Sequence, residues 1–340
     1  MPHTPPQSSW RRRGFLALPT SLALPALVPG ARAEAALTEL RIACVSGSVM
    51  PQDFRAGIQE GFFRRQGLDL KLTELATGPN NITAAVNGSA GLGFADIFAG
   101  LSAIKNGFDI GLVAPHNGTG NRQFFLVRGD SPRREARDLT GARIALGAPP
   151  QFRAIASAVL AANGVDPRSI RFSIVPDQTT FGAILQSGQA DVAFSSSVVN
   201  SYQWIRQYGF RAVLNPDTSA LNLADGSPIA GWWATRGWFG RNQEVAERFS
   251  KALRETIDWY GALSPEQKAA HVKAQTSIDL IALDQQTPGV LEAATTASYA
   301  GFSRPVELAQ LNAWINTGNR YANVPNDIDV AQRLFPTATS

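Results

Sequence analysis

The sequence has 340 residues, 44% of them hydrophobic and 17% charged, with 31 Lys and Arg against 27 Asp and Glu, three His and one Cys. The basic excess lies in residues 1–33, which hold four Arg and no acid, so the remainder carries 27 residues of each sign and no basic tract. That balance excludes an electrostatic footprint for nucleic acid or for an anionic lipid surface, and the single Cys44 excludes an internal disulfide. Stability has to come from apolar cores, and about 305 residues beyond the first segment suit two compact domains better than one.

Arg11-Arg12-Arg13 precede an uncharged apolar run from Leu16 to Val28, and Ala31-Arg32-Ala33 follows it. A positive stretch, a short apolar stretch and a small-x-small cleavage site are the parts of a secretory signal, and Arg12-Arg13-x-Phe15-Leu16 has the twin-arginine pattern. The run contains Pro19 and Pro25 and is too short to span a bilayer. No Cys follows it to carry a lipid. Residues 1–33 are therefore expected to be a twin-arginine signal peptide, cleaved after Ala33 to leave a soluble, monomeric periplasmic protein.

From Leu40 onward short β-like runs alternate with amphipathic stretches. Hydrophobic period and punctuation predict strands at Leu40–Val45, Leu68–Leu75, Gly91–Phe94 and Ile110–Ala114, with helices at Phe54–Gln66, Asn80–Val86 and Ile97–Lys105 between them. After Phe124–Arg128 a second set has the same plan. Its strands are Arg143–Leu146, Ile170–Val175 and Asp191–Phe194, and its helices Gln151–Ala162 and Thr179–Gln186. Such alternation implies two mostly parallel sheets covered by helices, with ligands bound beyond the strand C-termini. The second set reads as inserted into the first, with crossing segments near Phe124–Arg128 and Ile229–Ala234. Lobe one is expected to be 37–125 with 228–340, and lobe two 126–227. The chain is helical from Glu244, where Ser264-Pro265-Glu266-Gln267 forms a capping box and Arg304-Pro305-Val306-Glu307 is expected to open the last helical segment.

Four stretches carry a family likeness in order along residues 40–260: Gly61-Phe62-Phe63-Arg64-Arg65-Gln66-Gly67-Leu68-Asp69-Leu70, Asn87-Gly88-Ser89-Ala90-Gly91-Leu92-Gly93-Phe94-Ala95-Asp96, Arg137-Asp138-Leu139-Thr140-Gly141-Ala142-Arg143-Ile144-Ala145, and Gln186-Ser187-Gly188-Gln189-Ala190-Asp191-Val192-Ala193-Phe194. On these the chain resembles the periplasmic binding proteins for aliphatic sulfonates, taurine, nitrate and thiamine-pyrimidine precursors. The resemblance implies an α/β, two-lobed, type II clamshell fold with two interleaved mostly parallel sheets. It also implies a non-enzymatic receptor that hands a small organic solute to an ABC-transporter permease in the inner membrane. A sulfonate- or carboxylate-like anion is the expected ligand and a pyrimidine precursor the alternative. One departure is local: where many relatives have a Trp-Glu-Pro-like motif, this chain has Ser195-Ser196-Ser197.

Loops at the predicted strand C-termini supply the candidate ligand residues: Ser46 and Gly47, Gly78, Pro79 and Asn80 (beside Asn81), Asp96, His116 and Asn117, Gln151 and Phe152, Asp177, and Ser195 and Ser196. Several begin helices, whose N-termini offer unpaired N–H groups to an anion. The same residue types also favour plain helix capping. His116 could donate to an acidic or carbonyl oxygen, and Trp232 or Trp233, on opposite faces of a strand, could stack on a ligand. Tyr202 is a further aromatic candidate.

Enzyme signatures are scarce, and no cofactor is expected. There is no Gly-x-Ser-x-Gly elbow, Walker loop or metal-spaced His/Cys cluster, and the glycines at Gly88, Gly91 and Gly93 precede a strand where a dinucleotide fingerprint would follow one. An aryl-sulfinate desulfinase of the same fold uses a Cys after the first strand, which keeps Cys44 in view. The positions that carry that enzyme's His and Arg fall here on Thr83-Ala84-Ala85 and Gly93-Phe94-Ala95.

Overall fold

The computed structural model describes residues 36–45, 52–117, 123–195, 197–215, 228–296 and 305–339, which belong to one compact unit beginning at Ala36. Residues 1–33, read above as a signal peptide, and Ser46, Gly47, Ser196 and Arg304 lie outside the described residues. In chain order the elements are β1 (Thr38–Val45), α1 (Gln52–Gln59), α2 (Phe62–Arg65), β2 (Leu68–Leu75), α3 (Gly78–Val86), β3 (Leu92–Asp96), α4 (Ile97–Lys105) and β4 (Ile110–Asn117). The next group is β5 (Phe124–Val127), β6 (Arg143–Leu146), α5 (Pro150–Ala162), β7 (Arg171–Ile174), α6 (Phe181–Gln186), β8 (Val192–Ser195), α7 (Val198–Tyr208) and β9 (Arg211–Leu214). Then come β10 (Pro228–Thr235), α8 (Arg236–Arg241), α9 (Gln243–Ala262), α10 (Pro265–Thr276), α11 (Leu280–Gln286), α12 (Val290–Thr296), α13 (Leu308–Ala322) and α14 (Pro336–Thr339).

The strands form two five-stranded sheets of one plan. Sheet one has the order β2-β1-β3-β10-β4 and sheet two β7-β6-β8-β5-β9. In each, four strands share a direction and the fourth in order, β10 or β5, runs against its neighbours. Each reversed strand is the first after the chain has passed from the other sheet. It therefore starts at the edge where its parallel neighbours end. Asn117 closes β4 and Phe124 opens β5 only seven residues later, and seven residues reach at most about 25 Å. The strand-end edges of the two sheets are thus held close to each other.

Two expected elements differ. The helix expected over Phe54–Gln66 is broken at Gly61, whose φ of 77° is left-handed, and continues as α2. A residue without Cβ adopts that conformation at little cost. The last long helix starts at Leu308 with Glu307 in the cap position, later than the Arg304-Pro305 signal suggested. The Ser264 capping box forms as expected, with Gln267 N donating to Ser264 Oγ and Ser264 N to Gln267 Oε1. Among the described residues no helix is long and apolar enough to cross a membrane.

Sheet one is covered on one face by α1, α2 and α9 through an aromatic core. Trp232 sits 4.5 Å from Phe54, 5.0 Å from Phe94 and 5.3 Å from Phe249, centroid to centroid. On the other face Trp233 packs over Gly100 and donates from Nε1 to the Ala95 carbonyl at 3.2 Å. Helix α3 crosses β3 so closely that a Cβ at Gly93 would overlap the Asn81 carbonyl oxygen. Backbone cannot yield as a flexible side chain can. Gly93→Ala should therefore destabilise the protein by about 1–3 kcal/mol, read as a lower urea midpoint at unchanged slope.

Candidate functional site

At the strand-end edge of sheet one, β2 leads into α3. Thr77 caps that helix by accepting from Asn80 N at 3.4 Å, leaving Pro79 and the Asn80 side chain exposed. The next residue, Asn81, is fully buried. Its Nδ2 donates to the Phe94 carbonyl at 2.8 Å, while its Oδ1 has no partner. β3 ends at Asp96, which caps α4 by accepting from Ala99 N at 3.0 Å. Burial pushes the Asp96 carboxyl up to about 6.

Asp96 and His116 both pair with Ala230, from opposite sides of β10. They share one row and one face of the sheet, two strand spacings or about 10 Å apart. His116 is buried, with Phe94 edge-on at 5.5 Å, and burial lowers its pKa to about 3. The imidazole is therefore neutral near pH 7. Asn117 is the last residue of β4, opposite Pro228.

At the corresponding edge of sheet two, α5 starts at Pro150 with Gln151 half-buried, and Phe152 packs into the core beside Gly147 and Phe194. Asp177 is exposed, and its carboxylate accepts from Thr179 N at 2.9 Å and Thr179 Oγ1 at 2.6 Å, bonds that lower its pKa. Ser195 is buried and bonds both the N–H and the carbonyl of Ser197, whose Oγ accepts from Asn200 N to cap α7. The capping reading thus accounts for the side chains of Asp96, Asp177 and Ser197, and Ser195 is taken up by the Ser197 backbone. Pro79 and Pro150 have no N–H, and Asn80 N and Phe152 N are taken up by Thr77 Oγ1 and the Pro149 carbonyl, so the N–H groups left at the starts of α3 and α5 are those of Gly78 and Gln151.

Two expectations need correction. Trp232 is fully buried in the aromatic core of sheet one, so its ring face is covered by protein and is not presented to a ligand. Trp233 is equally buried, because both faces of a central strand are covered here.

Two residues escaped the sequence reading. Asp53, at the start of α1 just beyond the end of β1, is fully buried; its Oδ1 accepts from Phe54 N at 2.8 Å and its Oδ2 has no partner. Burial raises its carboxyl to about 7. Gln123, immediately before β5, is buried with its Nε2 unpartnered. Both adjoin strand ends, which was their only signal in the sequence. Cys44 is buried near the end of β1, and burial raises its thiol despite the nearby Arg55, which is ion-paired with Glu74.

Two five-stranded sheets of identical order, joined so that their strand ends meet, define the fold of the periplasmic binding proteins. The chain belongs to the NMT1/THI5-like family, whose sequence profile matches residues 54–266. Among solved structures it is similar to the periplasmic aliphatic sulphonate binding protein SsuA of Escherichia coli (TM-score 0.66, 18% identity, 88% of this chain and 98% of that one). It is also similar to the alkanesulfonate-binding protein SsuA of Xanthomonas axonopodis pv. citri bound to MOPS (TM-score 0.64, 19% identity, 88% and 99%). A mutant of the desulfurization enzyme DSZB in complex with biphenyl-2-sulfinic acid also matches (TM-score 0.58, 15% identity, 88% and 96%). At these identities the likeness establishes the fold. A search of curated proteins returned no sequence match.

The raised Asp53 carboxyl sets a pH dependence. Its folded pKa lies above the ordinary value of 3.8, so the folded state holds the proton more tightly, and stability falls as pH rises from about 4 to about 7. At about 1.36 kcal/mol per tenfold change, the effect is on the order of 4 kcal/mol. His116 acts in the opposite sense, since its lowered pKa removes stability as pH falls below its ordinary 6.5. Asp53→Asn should raise the unfolding midpoint at pH 8 and leave it nearly unchanged at pH 4, measured by urea denaturation. Separately, native Cys44 should resist alkylation over hours and react within minutes once unfolded; rapid labelling of the folded protein would restore a nucleophilic role.

Proposed function

We propose that the chain is the extracytoplasmic receptor of an ABC importer and that its two sheets are the cores of two lobes that close on a small organic solute. The observation that carries this reading is the reversed strand in each sheet, which brings both sets of strand-end loops to one crevice. In open α/β sheets that is where ligands bind. The export signal of residues 1–33 fits the same reading, with a permease of the inner membrane as the partner that receives the solute.

The ligand proposed is an anion with a sulfonate- or carboxylate-like head. The Gly78 and Gln151 N–H groups at the starts of α3 and α5 receive it, with the Asn80 and Gln151 side chains beside them. The neutral His116 donates a hydrogen bond to it. The sulfonate-binding proteins that share the fold support this choice.

Asp53 and Asp96 favour a second reading. A buried and a half-buried carboxyl with raised pKa values, beside a neutral imidazole, suit a neutral heterocycle that donates hydrogen bonds, such as a pyrimidine precursor, better than a second negative charge.

Thermal-shift screening against alkanesulfonates, MOPS, aromatic carboxylates and aminopyrimidines separates the two, because a ligand at 100 times its Kd stabilises by about 2.7 kcal/mol. For an anion, Asn80→Ala and Gln151→Ala should each weaken binding by about tenfold, and Asp53→Asn should leave it unchanged or tighter. For a pyrimidine, Asp53→Asn and Asp96→Asn should weaken it instead. Asn caps a helix as well as Asp does, so the Asp96 variant isolates the carboxyl from its capping role. No response to any of these compounds at millimolar concentration would sink both readings.

A further inference from the structure

Helices α10, α11 and α12 leave sheet one and end on a helix of sheet two. α10 packs on α1, and Gln275 Nε2 donates to the Gln52 carbonyl at 3.4 Å. At the other end α12 packs on α7, and Arg206 of α7 donates to Gln286, the last residue of α11. Between them Ala269, Val272, Leu280 and Val290 form a small buried cluster that Val199 and Tyr202 of α7 help to cover. Gln52 opens the helix that follows β1, and Val199 lies in the first turn of the helix that follows β8. Both attachments therefore fall beside the strand-end edges that form the crevice.

We propose that α10–α12 is a strap along one side of the crevice, anchored on sheet one and seated on α7, and that the α12–α7 seam parts when the crevice opens. The strap is built to move as one piece. Asp284 Oδ1 accepts from Gly289 N at 2.9 Å and Leu291 N at 3.0 Å, fixing the turn between α11 and α12. Gly289 takes a φ of 93°, open to glycine at little cost. A Cβ placed there would lie 4.0 Å from Tyr202 Oη. Tyr202 belongs to both sides of the seam: its ring is edge-on to Phe124 of sheet two at 5.7 Å, and it also packs on the strap cluster.

The second bridge between the sheets is of another kind. α13 packs on α5, and its Trp314 stacks on Phe98 of α4 at 4.7 Å within a large core that includes residues of both sheets. Parting that contact would expose a continuous apolar core, whereas parting the seam exposes a few apolar side chains and breaks one surface hydrogen bond. Opening thus pivots on α13 and α5 and releases α12 from α7.

The test uses ligand-free protein, so a wrong ligand assignment does not affect it. Hydrogen exchange and small-angle scattering are measured on the wild type and on the Val199→Ala/Tyr202→Ala variant. Exchange in 265–296 and 198–208 should rise by about tenfold or more, with α9 and α13 unchanged and the radius of gyration increased. Unchanged exchange and radius would overturn the proposal, as would a uniform rise across the chain, which would make the contact ordinary core. Should that variant fail to fold, Arg206→Ala removes only the polar tie across the seam and should reproduce the same local pattern more weakly. Its absence would also overturn the proposal.

Discussion

Everything about the candidate site depends on the reversed strands β5 and β10. Four strands of each sheet run the same way, and a chain leaving one sheet at its strand-end edge can join the other nearby only by starting at that sheet's strand-end edge. The strand it then forms is necessarily antiparallel. Six residues separate the end of β4 from the start of β5, few enough to hold the two edges close together. The proximity of these two edges is thus a consequence of connectivity, whatever the side chains of the loops there.

The polar groups near those edges come at a thermodynamic cost. Asp53 Oδ2, Asn81 Oδ1 and Gln123 Nε2 are buried and unpartnered, and an unmet buried polar atom costs about 1–3 kcal/mol. A core made only for stability would replace them with apolar groups. Asp96, by contrast, meets its needs by capping α4, and its raised pKa reflects burial beside the row it shares with His116. Near neutral pH the row presents a neutral imidazole and, because burial raises Asp96 only to about 6, a carboxyl that is mostly ionised.

The fold is shared by sulfonate-binding proteins and by a desulfurization enzyme, so architecture does not separate binding from chemistry. Local environment does. A thiol becomes a nucleophile where a cation stabilises its thiolate. Here Arg55 is near Cys44 but ion-paired with Glu74, and desolvation dominates. The thiol packs with Phe54, Phe94 and Trp232 in the core of sheet one.

Local pattern alone determined the strands and most helices, because apolar period, glycine punctuation and the Ser264 box act within a few residues of each other. It also pointed to the strand-end loops as the proposed place for a ligand, since alternation of strand and helix implies parallel neighbours. What it could not determine was which side chains reach that place. The alternation at Trp232 and Trp233 is consistent with one stacking ring, but a central strand covered on both faces buries both. Asp53 reads as an ordinary acid in a first helical turn and becomes a buried, proton-holding carboxyl only because α1 is pressed onto sheet one under α9. The strap is beyond any local reading: helices α10–α12 are weakly patterned, and their role arises from contacts with α1 and α7, more than 200 and about 80 residues earlier in the chain. Burial and long-range pairing are properties of the assembled core, and only the tertiary structure decides them.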